Sequence, residues 1–332
     1  MNPLVSVITS TYNWPKALEQ AIPTVLSQTF SDFEYLIIGD CCTDETEELV
    51  YGFNDARINW YNLPQNTGNQ SGVNKFALTK SKGKYIAYLN HDDLWFPDHL
   101  EIALSAFRGR DLDIVNTLSL EIDVKEGHNR AILGLPALIS PRLRNVLGLP
   151  KLISPSSPMT TSVMHTAEAA NLVGGWTDWR ETYNVPTQEF FKKLQFLRQR
   201  WAVVSSVTSL KFHSGDRKNS YLIRNAYEQK IWANQIKQDP NLRLRETLTA
   251  LACTSMRESK IRLSQPRKPD NAPLGWQIEQ WRRMRGLKPM LNLGESEPKN
   301  ITPENITLSS PIQTKTGDWT VISPISDENN DV

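Results

Sequence analysis

Apolar and polar residues alternate in blocks along the first hundred residues, and these blocks have the lengths of strands and helices. The run 4–10 is nearly all apolar and rich in β-branched side chains, which is typical of a strand covered on both faces in a parallel sheet. Further strands are predicted at 33–39, 57–63 and 85–89, and helices at 15–28, at 73–80 and in a segment through Tyr51 that Thr43 or Asp44 caps. This alternation predicts an α/β fold with a mainly parallel sheet flanked by helices.

Polar stretches follow the predicted strands. They have the sequences GDCCTDET at 39–46, QNTGNQSG at 65–72 and NHDD at 90–93. Because ligands of open α/β sheets bind outside the carboxyl ends of the strands, we expect a ligand site where these stretches meet.

The pattern is less regular after residue 100. A helix at 99–107 and strands at 114–117 and 162–165 continue the sheet, whereas the proline-rich segment 131–158 indicates an insertion or lid. Helices are also predicted at 188–197, 225–236 and 242–256. We therefore divide the chain into a domain at 1–222 with halves 1–117 and 118–222, a helical extension at 223–293 and a disordered polar tail at 294–332.

Composition and charge exclude several functional classes. Thirty-seven Lys and Arg against thirty-six Asp and Glu argue against a nucleic-acid partner. We find no apolar run of about 18 residues to span a bilayer. The first residues lack the basic start of a signal peptide, and three cysteines suit a reducing compartment, so we expect a cytoplasmic protein. Segment 131–153 combines apolar and basic residues, which favours peripheral contact with the inner membrane face.

The residues Asn90-His91-Asp92-Asp93 carry the strongest chemical signal. Two adjacent carboxylates at the end of a buried strand repel each other unless a cation compensates them. Mg²⁺ or Mn²⁺, completed by substrate phosphate oxygens, would do so. The alternative is that Asp92 or Asp93 only caps the following helix.

Three segments in order, PLVSVITSTYN, LSQTFSDFEYLIIGDCCTDET and NTGNQSGVNKFALTKSKGKYIAYLNHDDLWFPDHL, resemble the nucleotide-sugar-binding half of glycosyltransferase family 2, the inverting GT-A fold. A weaker resemblance continues through GGWTDWR and VPTQEFFKKL to about Tyr221. The family's metal motif is usually Asp-x-Asp, and this chain departs from it because Asn90 takes the first position.

The resemblance implies donor-site residues. Thr9, Thr11, Tyr12 and Asn13 correspond to the first nucleotide loop, where a tyrosine stacks on the base, and Asp40 to the carboxylate that bonds the base. Asn66, Gly68, Asn69 and Asn74 correspond to the segment along the ribose and diphosphate, or to a plain turn, and Asn90 to a ribose contact. The metal would be held by Asp92, with Asp93 and His213 as further candidates, while Arg217 and Lys218 are candidates for the diphosphate.

The resemblance also implies a carboxylate base that activates the acceptor. Glu189 is our candidate, and a shift of two residues would place Thr187 there, with Asp178 and Glu181 as alternatives. Trp176 either stacks against a sugar or packs in the core.

The resemblance implies an inverting, metal-dependent transferase that moves a sugar from a UDP- or GDP-linked donor to a hydroxyl of a glycan, a lipid-linked or another acceptor. The departure at Asn90 keeps a catalytically inactive sugar-nucleotide-binding relative as the alternative.

Overall fold

The computed structural model describes residues 2–122, 131–133, 159–182, 185–198, 200–212, 220–257 and 320–322. The strands are β1 (Val5–Thr11), β2 (Phe33–Gly39), β3 (Ile58–Asn62), β4 (Tyr85–Tyr88), β5 (Leu94–Trp95), β6 (Ile114–Ile122), β7 (Ala131–Leu133), β8 (Val163–Thr166), β9 (Trp201–Phe212) and β10 (Thr320–Ile322). The helices are α1 (Pro15–Leu26), α2 (Thr46–Gly52), α3 (Gln70–Lys80), α4 (His99–Phe107), α5 (Ala167–Leu172), α6 (Pro186–Arg198), α7 (Ser220–Ile223), α8 (Tyr227–Gln238) and α9 (Leu242–Arg257).

One sheet contains the ten described strands: eight follow the order β10-β9-β6-β8-β4-β1-β2-β3, while β5 pairs with β9 and β7 pairs with β6. Strands β1, β2, β3 and β4 pair in parallel, as the alternating pattern predicted. Strand β8 is antiparallel to both of its neighbours, while β9 runs parallel to β6. The mixed α/β sheet of the predicted fold class is therefore confirmed, with an antiparallel strand in its middle.

The core lies on both faces of this sheet because successive residues of a buried strand point to opposite sides. On one face Val5 and Val7 pack with Leu18 and Ile22 of α1. On the other face Ile8 packs with Val73 of α3. A third cluster joins Leu94, Leu120 and Leu210 to Trp232 of α8 and Leu242 of α9.

The structure departs from the predicted elements mainly in the second half. Strand β9 was not predicted, since Ser205 and Ser206 interrupt its apolar pattern. The predicted lid at 131–158 lies outside the described residues except for β7, which pairs with β6. The predicted disordered tail also lies outside them except for Thr320–Ile322, which form a strand along β9.

Candidate active site

The loops after β1, β2, β3 and β4 (residues 12–14, 40–45, 63–69 and 89–93) form what we call the loop edge of the sheet. Side chains cross-link these loops. Asn62 accepts a hydrogen bond from the Cys42 amide at 2.8 Å and donates one to the Cys42 carbonyl at 2.9 Å. Asn13, in the left-handed region at φ 47°, accepts a bond from the Thr43 amide at 2.8 Å. The loop edge is thus preorganised by the protein itself.

Two residues predicted for the nucleotide loop, Thr9 and Thr11, form hydrogen bonds with buried groups of the protein. Thr9 is fully buried, and its hydroxyl donates to the Leu89 carbonyl at 2.7 Å and lies 3.0 Å from the Tyr35 hydroxyl. The Thr11 hydroxyl lies 3.0 Å from Nδ1 of His91 and is also buried. These two hydroxyls therefore position strands and turns and are not exposed to a ligand. This corrects the expectation for Thr9 and Thr11.

Tyr12, in contrast, has 43% of its surface exposed. The neighbouring Trp14 is buried and meets His91 edge to face, with ring centroids 5.4 Å apart. Because Trp14 anchors the loop, the Tyr12 ring is presented at the loop edge, where it can stack on a planar group.

Asp40 lies at the carboxyl end of β2 and is almost buried. Its carboxylate accepts a hydrogen bond from the Thr67 amide at 2.7 Å, and its carbonyl accepts one from Asn66 at 3.0 Å. Burial raises the pKa of Asp40, while the bond from Thr67 and the nearby Arg180 charge act in the opposite direction. Asp40 thus joins the loop after β2 to the loop after β3.

The segment before α3 combines the predicted turn with a helix cap. Asn66 accepts a bond from the Gly68 amide at 2.8 Å, and Gly68 has φ 86°, which favours glycine. The Asn69 side chain caps α3 by accepting a bond from the Ser71 amide at 3.0 Å. Asn74 is buried inside α3. The Asn69 side chain therefore caps the helix through its oxygen, while the burial of Asn74 argues against its predicted role as a ligand contact.

The two carboxylates of the turn after β4, Asp92 and Asp93, have different surroundings. Asp93 is fully buried and pairs with Lys211 at 3.0 Å, while its carboxylate also accepts bonds from the Phe212 amide at 2.9 Å and from Asn90 at 2.8 Å. Burial raises the pKa of Asp93 and the Lys211 charge opposes that rise. Both oxygens are engaged by the protein, so Asp93 holds β9 and is not available to a metal, contrary to the sequence-based expectation.

Asp92 has the opposite surroundings. Its side chain is 4% exposed, yet its carboxylate has no hydrogen-bond or ion-pair partner in the part of the chain that the structure describes. Its backbone carbonyl accepts a bond from Gln229 of α8 at 3.4 Å. The adjacent His91 stays neutral at physiological pH because burial lowers its pKa to about 4. A nearly buried carboxylate without a protein partner is suited to a cation.

The described residues contain no group of three or more His, Cys, Asp or Glu placed to hold a metal. Three candidates from the sequence, His213, Arg217 and Lys218, lie outside the described residues. Strand β9 ends at Phe212, against Asp93. Asp92 is consequently the described side chain that fits a divalent cation.

The predicted base lies on the first turn of α6. Glu189 is partly exposed and pairs with Lys193 at 3.1 Å, and Lys193 also donates to the Thr177 hydroxyl at 2.7 Å. Thr187 is buried, and its hydroxyl accepts a bond from Gln70 at 2.9 Å. Glu189 is therefore the accessible group of the two, held by one ion pair.

The remaining candidates from the second half differ in burial and in their contacts. Trp176 is 1% exposed, stacks on Phe190 at 4.7 Å and donates to the Tyr88 hydroxyl at 3.1 Å, so it packs in the core and cannot stack on a sugar. It follows Gly174 and Gly175, whose φ values of 75° and 69° explain the glycine pair. Asp178 forms an ion pair with Arg180 at 2.9 Å. Glu181 is exposed.

Sequence reasoning missed four residues near the loop edge. Arg180 donates to the Thr67 carbonyl at 3.3 Å, and Lys211 pairs with Asp93. Arg224 lies over the Tyr12 ring, and Gln229 binds the Asp92 carbonyl. Each contact spans more than a hundred residues of chain, and no local motif indicates it.

Comparisons with known proteins identify the family that part of the chain resembles. The model of Glycosyl transferase family 2 matches residues 6–159. The glucosyltransferase WfgD of Escherichia coli, named UDP-Glc:alpha-D-GlcNAc-diphosphoundecaprenol beta-1,3-glucosyltransferase, is 34% identical over 102 residues, or 31% of this chain. The uncharacterised glycosyltransferase MJ1057 of Methanocaldococcus jannaschii is 36% identical over 118 residues, or 34% of this chain. Each alignment covers 40% of the relative, so the chain matches less than half of either length.

Solved structures share the fold over more of the chain. TarS of S. aureus, in a crystal structure with UDP-GlcNAc, has a TM-score of 0.50 and 17% identity, covering 79% of this chain and 74% of that one. The mannosyltransferase PcManGT of Pyrobaculum calidifontis, in complex with GDP-Man and Mn²⁺, has a TM-score of 0.50 and 14% identity, covering 87% and 82%. Residues 6–159 of this chain are therefore similar to glycosyltransferase family 2, within a chain that has the GT-A fold.

Proposed function

We propose that the chain transfers a sugar from a nucleoside diphosphate donor to a hydroxyl acceptor with inversion, in polysaccharide biosynthesis. The similarity to this family supports the class of reaction. The solved structures of similar fold support the donor class, since TarS holds UDP-GlcNAc and PcManGT holds GDP-Man. In this proposal Tyr12 stacks on the base and Asp40 positions the loops around it.

The observation that carries the proposal is the nearly buried Asp92 carboxylate without a described partner. We propose that Asp92 holds Mg²⁺ or Mn²⁺, which would offset the charge of the leaving diphosphate. Asn90 does not weaken this proposal. Its amide donates to Asp93, where a third carboxylate would add repulsion.

Glu189 is the proposed general base. Its carboxylate would take the proton of the acceptor hydroxyl as that oxygen attacks the anomeric carbon on the face opposite the diphosphate. Lys193 pairs with it at 3.1 Å and orients it. Because the pair is partly exposed, Glu189 is accessible to an acceptor hydroxyl.

A lipid-linked glycan is the proposed acceptor class, since WfgD is named for a diphosphoundecaprenol acceptor. Action at the inner membrane face follows from such an acceptor. Among the described residues, no helix has both the length and the apolar character needed to cross a bilayer.

Thermal unfolding with UDP and with GDP, each with and without Mn²⁺, tests the proposal. We expect a metal-dependent rise in midpoint for one nucleotide, lost in Asp92→Asn because the amide is a poorer cation ligand. Asp44→Asn is the matched control, since asparagine can also accept the Thr46 amide bond that Asp44 accepts at 3.2 Å.

Transfer of a labelled sugar from the stabilising donor class is then measured with a lipid-linked acceptor. Absence of a shift with every nucleotide would contradict the donor site. A metal-dependent shift without transfer or donor hydrolysis would instead favour the inactive sugar-nucleotide-binding relative.

A further inference from the structure

The helices α7, α8 and α9 follow the matched family region, yet two residues of this part of the chain, Arg224 and Gln229, contact the loop edge. We propose that Arg224, at the bend between α7 and α8, is a positioning residue of the donor site that holds the Tyr12 ring for base stacking. This inference rests on the proposed function. It assigns part of the helical extension to the donor site.

The first argument is the contact itself. The guanidinium carbon of Arg224 lies over the Tyr12 ring, 5.5 Å from its centroid. A guanidinium at this distance is attracted by the negative face of an aromatic ring. Tyr12 is 43% exposed, so its ring is accessible while Arg224 restrains it. A ring held on one face by a cation presents its other face to a planar base.

The second argument is the backbone of Arg224. Its φ of 51° lies in the left-handed region, where glycine and asparagine are the favoured residues. Arginine has no conformational advantage there. The position therefore carries an arginine despite its backbone, which points to a role for the guanidinium.

The third argument is that the extension is fixed at further points, one at the loop edge and one between the loop edge and α4. Gln229 is 3% exposed and donates to the Asp92 carbonyl at 3.4 Å. Arg243 of α9 pairs with Asp98 at 2.8 Å and lies 4.6 Å from the Phe96 ring centroid. With one anchor in the turn after β4 and another just beyond it, Arg224 has a defined place relative to Tyr12.

The test is Arg224→Asn, because asparagine adopts the left-handed backbone and removes only the guanidinium. Calorimetry measures binding of UMP and UDP, and of GMP and GDP, with Mn²⁺ present. We expect R224N to weaken the binding of the mono- and the diphosphate of the preferred base by the same factor. The expected loss of affinity is about three- to tenfold, which corresponds to one cation–π contact. R224K should restore part of the affinity, since lysine keeps the cation.

Coupling to Tyr12 separates positioning from a general effect on folding. In a Tyr12→Leu background, R224N should cause no further loss of affinity. The control is Arg245→Gln, which removes a cation of the same extension that pairs with Asp239, and it should leave affinity unchanged.

Several outcomes would overturn the inference. Unchanged affinity of R224N would remove the role, and a loss confined to the diphosphates would make Arg224 a phosphate ligand instead. A further loss in the Y12L background would show that it does not act through Tyr12. If the wild type bound none of the four nucleotides, the proposed function itself would fail, and that result is distinct from the others.

Discussion

The loop edge and the first turn of α6 are held in place by different means. At the loop edge, buried or multiply bonded side chains such as Asn13, Asp40 and Asp93 connect loops that are distant in sequence. On α6, Glu189 depends on one partly exposed ion pair with Lys193. The difference teaches that the proposed donor half is rigid before any ligand binds, whereas the proposed base is placed by a weak contact and can adjust to an acceptor.

The largest expected effect is a loss of transfer rate without a loss of nucleotide affinity, which would distinguish α6 from the loop edge. Glu189→Gln should lower the transfer rate about 10²- to 10⁴-fold, the usual contribution of a general base. Nucleotide affinity should stay unchanged, because the described side-chain contact of Glu189 is with Lys193 and not with a residue of the loop edge. Initial rates and calorimetry on the same preparation measure both.

Thr187→Val is the matched control on the same helical turn. It removes the hydroxyl that Gln70 binds, and we expect a small change in rate. A severe loss with T187V together with a mild loss in E189Q would reverse the assignment of the base.

The second effect concerns stability at the loop edge. Asp93→Ala should lower the free energy of unfolding by about 3–5 kcal/mol, because it leaves Lys211 without its buried carboxylate. Urea titration measures the change. The double variant D93L/K211M, which replaces both charges with apolar groups, should lose less. Equal losses in the two variants would show that the ion pair does not connect β9 to this turn.

The smallest effect tests the cross-links between loops. Asn62→Ala removes both bonds to Cys42 and should cost about 1–2 kcal/mol of unfolding free energy. It should also weaken nucleotide binding while leaving the environment of Glu189 unchanged. Asn59→Ala, on the same strand, removes one bond to the Arg57 carbonyl and is the control. Identical nucleotide affinities in N62A and the wild type would argue against preorganisation by this residue.

The first half of the fold could be predicted because its elements follow one another as local strand–helix units. Strand β2 was predicted with the bounds that it has, and the turn at 90–93 was recognised from its carboxylates. The sequence could not show which of Asp92 and Asp93 forms an ion pair within the protein, since Lys211 is 118 residues away from Asp93 along the chain. Trp176 was ambiguous for a similar reason. Its burial depends on Tyr88 and Phe190, which the fold alone brings together.

Helix caps also limited the prediction of site residues. Asn69 and Asn74 have the chemistry of ligand contacts, yet the Asn69 oxygen accepts the Ser71 amide bond at the start of α3 and Asn74 is buried within that helix. Polar side chains at a loop-to-helix junction serve the backbone and a ligand through the same hydrogen-bonding atoms. Only the folded structure distinguishes a side chain that caps a helix from one that binds a ligand.

The separation of 118 residues between Asp93 and Lys211 also sets an order of assembly. During synthesis, strands β1–β4 can pair before the second half of the chain is made, because all four lie within the first 88 residues. The Asp93 carboxylate has no lysine partner until β9, which contains Lys211, has been synthesised. This ion pair therefore forms late. A nascent chain that stops before residue 211 lacks the contact that fixes the turn after β4 to β9.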